Sequence, residues 1–127
     1  MFGITLNNRK PIHEQLTERI TELVLSGVLE AEAPLPSVRE MAAELGVNPN
    51  TVQRAYSELE RAGVTYSVSG KGRFVTHDTA AVKDARKKEE MKRLGESVRE
   101  LERLGCERDE ILREGEKIFA REDVQND

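Results

Sequence analysis

Between Gly46 and Asn48 there is room for one residue, Val47, and that gap constrains the middle of the chain more than any other feature. Upstream of it, Ser37 with Glu40 three residues later forms the capping-box pattern that opens a helix. Val38, Met41, Ala42 and Leu45 recur on one side of that helix, and Gly46 stops it. Downstream, Asn48-Pro49 is a second start signal: an N-cap residue, then a proline whose missing N–H is no loss at the first helical position. This second helix is expected to run to about Ala62, with Val52, Ala55, Tyr56 and Leu59 inward and Gly63 as its stop. Two helices of roughly 8 and 13 residues joined this tightly make a helix-turn-helix.

The period then changes from helical to alternating. Val64 to Val68 and Arg73 to His77 are short β-prone runs around the turn Ser69-Gly70-Lys71-Gly72, so a hairpin, or wing, follows the second helix directly. Ahead of the pair, residues 11–26 read as a helix: Pro11 suits its first turn, Gly27 follows its end, and Ile12, Leu16, Ile20, Leu23 and Val24 form one apolar stripe. Leu29 to Pro36 contains two prolines and is expected to be a loop or a short extended stretch. From Asp78 onward the chain turns to long helical charge patterning. Met91, Leu94, Val98 and Leu101 give a short heptad-like seam, Gly105 interrupts it, and a last helix from about Arg108 to Arg121 carries Ile111, Leu112, Ile118 and Phe119. The expected fold class is mainly α with a small β-hairpin: an N-terminal winged helix-turn-helix over residues 1–77 and a C-terminal two-helix dimerisation tail over residues 78–127.

Several functional classes are disfavoured. With no Trp, two Tyr and three Phe among 127 residues, the core must be mostly aliphatic. No run approaches the ~18 apolar residues of a membrane span, and the start MFGITLNNRK lacks an apolar signal core, so a cytoplasmic location and no membrane partner are expected. One cysteine, Cys106, rules out an internal disulfide framework and a cysteine-based zinc site. His13 and His77 do not approach metal-ligand spacing and read as surface or boundary residues. No metal and no cofactor are expected. No nucleophile–base pair appears, and Gly70-Lys71-Gly72 lacks the flanking spacing of a phosphate loop, so an enzyme is not expected.

The net charge of −4 is unusual for a protein that would touch a polyanion. Residues 1–77 carry 8 basic and 9 acidic residues, and residues 78–127 carry 12 and 15, so neither part is basic as a whole. Double-stranded DNA as a partner therefore needs a local face. The second helix of the pair supplies one. In a helix-turn-helix that helix enters the major groove, and removing its inward positions leaves Asn50, Thr51, Gln53, Arg54 and Ser57 outward. Asn and Gln pair bidentately with adenine, Arg with guanine, and Thr meets a phosphate or a thymine methyl. Arg39, in the first turn of the preceding helix, is a candidate for the same groove or its phosphates. In the wing, Lys71 and Arg73 flank Gly72, and the glycines allow close backbone approach to DNA. Asn48 and Pro49 are equally well explained by capping alone, and Arg54 by an ion pair with Glu58 one turn on.

The stretch LPSVREMAAELGVNPNTVQRAYSELERAGV…GKGRFV resembles the GntR family of bacterial regulators, from about residue 9 to residue 77. The matching positions include Pro36-Ser37, Arg39, Leu45-Gly46-Val47, Thr51-Val52, Ala55-Tyr56, Leu59-Glu60, Gly63 and Gly70-Lys71-Gly72. The resemblance implies DNA-contacting roles for Arg39, Asn48, Asn50, Thr51, Gln53 and Gly70. The short remainder after His77 resembles the YtrA-type branch, whose tail is a pair of dimerising helices. Three departures stand out. Glu32 replaces a usual loop glycine and Ala33 a common Asp, which implies an altered turn before Leu35. Thr65 replaces a usual Ile at the start of the wing, which implies looser packing. Cys106-Glu107 replaces an aromatic followed by Ser or Thr, which implies a weaker cap on the last helix.

The tail seam Met91, Leu94, Val98 and Leu101, with Ile111, Leu112, Ile118 and Phe119, has too little apolar surface to fold alone as two helices; a second copy would bury it. The function expected is that of a homodimeric regulator, a repressor in the first reading, on an inverted-repeat operator. The alternative is a metabolite-responsive sensor with an effector pocket at the dimer interface, for which the tail offers Phe119 as its single aromatic residue and no clustered His or Cys. The sequence names no small-molecule effector.

Overall fold

The computed structural model describes residues 2–126, with side chains as far as Arg121; the expected outer domain limits at residues 1 and 127 lie outside the described residues. Five helices and one antiparallel hairpin follow in the order α1 (Ile12–Leu25), α2 (Val38–Leu45), α3 (Pro49–Arg61), β1 (Thr65–Val68), β2 (Gly72–Val75), α4 (Thr79–Arg103) and α5 (Arg108–Asn126). The chain divides into two compact units, the first ending at Ala85 and the second beginning at Arg86.

Each boundary in the helix pair has a visible local cause. The Ser37 hydroxyl accepts from the Glu40 N–H (3.1 Å) while the Glu40 carboxylate accepts from the Ser37 N–H (3.4 Å), closing the capping box. Gly46 ends α2 at φ 67°, in the left-handed region open to glycine without strain. The Asn48 side chain then accepts from the Asn50 N–H (2.8 Å) to open α3. Ahead of α1, the Gln15 amide donates to the carbonyls of Asn7 (2.8 Å) and Lys10 (2.7 Å) and ties down the segment before the helix.

The first unit is built around α3, which packs on α1, α2 and β1. Its inward residues Val52, Ala55, Tyr56 and Leu59 are wholly buried against Leu16, Ile20, Met41 and Val75. The core is aliphatic as expected, with Tyr56 as its one fully buried aromatic among the described residues. Val38 and Leu45 are only half-buried at its margin. Val82, from the first turns of α4, closes it.

The wing strands are shorter than the expected runs: β1 starts at Thr65 rather than Val64, and β2 ends at Val75 rather than His77. Their register pairs Thr65 with Val75, Tyr66 with Phe74, Ser67 with Arg73 and Val68 with Gly72. The proline-containing stretch before α2 is extended and lies along the far edge of β2. Glu32 donates its N–H to Val75 O (2.8 Å), Val75 to Ala33 O (2.8 Å) and Leu35 to Arg73 O (2.9 Å). Pro34 bridges Phe74 from this edge, where its missing N–H is tolerated. Holding this register puts Glu32 at φ 66°, a glycine-like conformation that costs a side-chain-bearing residue about 1 kcal/mol or more.

In the second unit, α5 continues past the expected end at Arg121 to Asn126. The turn between α4 and α5 uses Gly105 at φ 92°, with the Cys106 N–H reaching back to Leu101 O (2.9 Å). A hydrogen bond to the Glu110 side chain raises the Cys106 thiol pKa above its ordinary value, with burial and the Glu110 charge adding to it. Among the described residues the two tail helices do not pack extensively on each other. Their apolar residues stay open: Met91 is 67% exposed, Leu94 58%, Leu112 52% and Phe119 71%, with Leu101 and Ile118 also exposed and Val98 and Ile111 half-covered.

Thr65 is buried, yet its hydroxyl makes no hydrogen bond. The position is shielded from solvent, and the departure from an apolar residue leaves an orphaned polar atom. Thr65→Val, which keeps the shape and removes that atom, is expected to stabilise the protein by about 1–2 kcal/mol, read as a higher urea midpoint at unchanged slope.

Candidate nucleic-acid interface

Burial of one side of α3 leaves the other to solvent. Asn50, Gln53, Arg54 and Ser57 are exposed and spaced three and four residues apart, so they form one polar stripe; Thr51 is half-buried at its flank. The Gln53 amide donates to the Ser57 hydroxyl (3.1 Å) along the stripe. The Asn48 oxygen is engaged in the cap, and the residue is exposed at the start of the stripe.

A second group forms where α2 begins beside the wing. Ser37, Arg39, Glu40, Lys71, Gly72 and Arg73 line an open cleft of about 450 Å³. It brings Arg39 beside Lys71 and Arg73, which lie more than thirty positions further along the sequence. The capping box pins the one carboxylate in this cleft, Glu40, to the Ser37 N–H. Gly70, at the wing tip, is exposed with φ 75°.

Two basic residues of this surface, Arg54 and Arg73, also have partners within the protein. Arg54 lies 3.4 Å from the Glu58 carboxylate one turn on, the ion pair weighed from the sequence, while its side chain remains 66% exposed. Arg73 places its guanidinium 5.3 Å from the centre of the Tyr56 ring. The Tyr56 hydroxyl donates to Pro36 O (2.8 Å). Burial pushes Tyr56 up to about 12, against the opposing charge of Arg73 and aided by that of Glu40, so it stays a neutral donor at ordinary pH.

Glu58 is a junction that sequence reading missed. It hydrogen-bonds His13 (3.3 Å) and accepts from Thr17 (3.1 Å) of α1 while pairing with Arg54, and so ties α1 to α3. Its partners lie 45 and 41 positions away, and Arg54 at i−4 is the one local hint. Burial alone would raise the Glu58 pKa, but the hydrogen bonds from His13 and Thr17, with the charges of His13 and Arg54, outweigh it and hold the carboxyl below its ordinary value. Among the described residues no group of His, Cys, Asp and Glu is arranged to hold a metal ion.

A tight helix pair with a polar-faced second helix, followed at once by a wing, defines the winged helix-turn-helix class. Residues 12–75 match the model of the "Bacterial regulatory proteins, gntR family", and the chain belongs to that family. Its relatives include the YhcF HTH-type transcriptional regulator of Bacillus subtilis (strain 168), 38% identical over 87% of this chain and 91% of that protein. The YtrA HTH-type transcriptional repressor of the same organism is 40% identical over 61% of this chain and 60% of its own length. Among solved structures, a transcriptional regulator from Oenococcus oeni superposes with a TM-score of 0.78 at 36% identity, covering 92% of this chain and 98% of that one. The AraR DNA-binding domain in complex with operator ORE1 superposes with a TM-score of 0.51 at 28% identity, over 57% of this chain and 90% of that one.

The lowered Glu58 pKa has a signed consequence. A depressed carboxylate contributes stability above its unfolded value and loses it as pH falls through the folded one. Between about pH 5 and pH 3 the wild-type urea midpoint should therefore fall more steeply than that of Glu58→Gln, and the two should converge at the acid end.

Proposed function

We propose that this protein is a homodimeric transcriptional repressor that occupies an inverted-repeat operator. The observation that carries the reading is the uncovered polar stripe of α3, set on an acidic chain beside a wing that offers Gly70 and Lys71. In this reading Asn50, Thr51 and Gln53 meet base edges in the major groove, and Asn48 joins them at the helix start. Arg39 and Lys71, facing one cleft, take backbone phosphates, and Gly70 lets the wing tip approach the minor groove. Arg54, held by Glu58, is a secondary contact. A relative named as a repressor and a family neighbour crystallised on its operator support this direction.

Dimerisation follows from the tail. A helix pair that leaves Met91, Leu94, Leu101, Leu112, Ile118 and Phe119 exposed, with Val98 and Ile111 half-covered, needs a second copy to bury them. Residues 1–77 thus act as the reading head and residues 78–127 as the coupling. Two heads related by a twofold axis read half-sites about one helical turn apart. No described helix is long and apolar enough to cross a membrane, in keeping with a regulator that works in the cytoplasm.

At fixed salt, Arg39→Ala and Thr51→Ala should each weaken binding to a duplex selected from a random-sequence pool by on the order of tenfold or more. Arg54→Ala should cost less, because Glu58 already holds that side chain. Undiminished binding by Arg39→Ala and Thr51→Ala together would overturn the assignment of α2 and α3 to DNA.

Light scattering at micromolar concentration should give twice the chain mass of 14.3 kDa. Leu101→Glu combined with Leu112→Glu should return the monomer mass while the melting of the first unit persists. A monomeric wild-type protein would overturn the dimer.

A further inference from the structure

Arg73 differs from the other basic residues of the cleft. Arg39 and Lys71 are exposed, whereas Arg73 is half-buried in the middle of β2, opposite Ser67. Its guanidinium lies over the ring of Tyr56, itself wholly buried and oriented by the bond from its hydroxyl to Pro36 O. The main chain of the same residue accepts the Leu35 N–H (2.9 Å). One residue thus meets α3 through its side chain and the approach to α2 through its backbone, while forming part of the wing. The Arg73 Nε is sealed from solvent and makes no hydrogen bond. A phosphate ligand presents its N–H fork outward. Here part of the fork is closed off, and the face of the cation rests on an aromatic ring instead.

We propose that Arg73 is a positioning residue for DNA binding: stacked on Tyr56, it locks the wing to the α2–α3 pair, so that Gly70 and Lys71 reach the duplex at a set distance from α3, and it is not itself a phosphate ligand. The inference rests on the DNA-binding reading above and reassigns one residue within it. Lysine separates the two roles. It is a good phosphate ligand, but its compact, strongly hydrated ammonium has no planar face to lay on the ring and resists a half-buried seat.

The test compares Arg73→Lys and Arg73→Met in the full-length protein. Both should lower affinity for the selected duplex to a similar degree, on the order of tenfold, at fixed salt. Hydroxyl-radical protection in the minor groove under the wing should be lost, while methylation protection in the major groove under α3 is kept. In the DNA-free protein, the amides of Leu35 and Val75 should exchange on the order of tenfold faster in both variants, with those of Leu16 to Val24 unchanged. Wild-type affinity and an intact wing footprint in Arg73→Lys, with loss only in Arg73→Met, would make Arg73 a phosphate ligand and overturn the proposal. Unchanged exchange at Leu35 and Val75 would overturn the lock directly, without any DNA. Failure to enrich a duplex with the wild-type protein would instead strike at the DNA-binding reading, and the exchange result would still decide whether Arg73 holds the wing.

Discussion

The architecture of the first unit depends on how much of α3 is removed from water. Val52, Ala55, Tyr56 and Leu59 are wholly buried, and α1, α2 and β1 each rest on this helix. Fully burying side chains of this size stabilises by about 1.5–3 kcal/mol each for the large ones, more than any hydrogen bond at the surface contributes. With its period fixed and one side committed to the core, the helix has no freedom over what it presents outward. The stripe Asn50, Gln53, Arg54 and Ser57 is therefore a consequence of packing before it is a feature of recognition.

Electrostatics work within that frame at short range. The whole chain is acidic, and residues 1–77 are close to neutral. Attraction to a polyanion then depends on where individual charges are held. The fold removes some from circulation: Glu40 is committed to a helix cap, and Glu58 to His13, Thr17 and Arg54. Arg39 and Lys71 are left outward at one cleft. The result is a basic spot made as much by engaging carboxylates as by adding cations.

Much of this was legible because its causes are local. The capping box at Ser37 and Glu40, the glycine at 46, the Asn48-Pro49 start and the inward set of α3 each depend on residues within one or two turns, and each is found in the structure. What escaped depends on partners distant in sequence. Nothing near His13 announces Glu58, and the aromatic seat of Arg73 is formed by a residue of the preceding helix. The stretch before α2 was ambiguous for the same reason: its extended form is set by pairing with β2, forty residues on. Glu32 shows the cost of that pairing, since the register demands a backbone conformation its side chain disfavours.

The pairing along β2 has another effect. A two-stranded hairpin has two open flanks, and unpaired strand flanks invite other chains to add to them. In this protein Glu32, Ala33 and Leu35 occupy the flank of β2, and the Glu60 carboxylate takes up the Ser67 N–H on β1 (3.1 Å). The wing is thereby protected against growing into a larger sheet. A chain whose wing flanks are taken up in this way offers other chains few backbone groups to pair with, so the hairpin can stay exposed without becoming a seed for sheet-to-sheet aggregation.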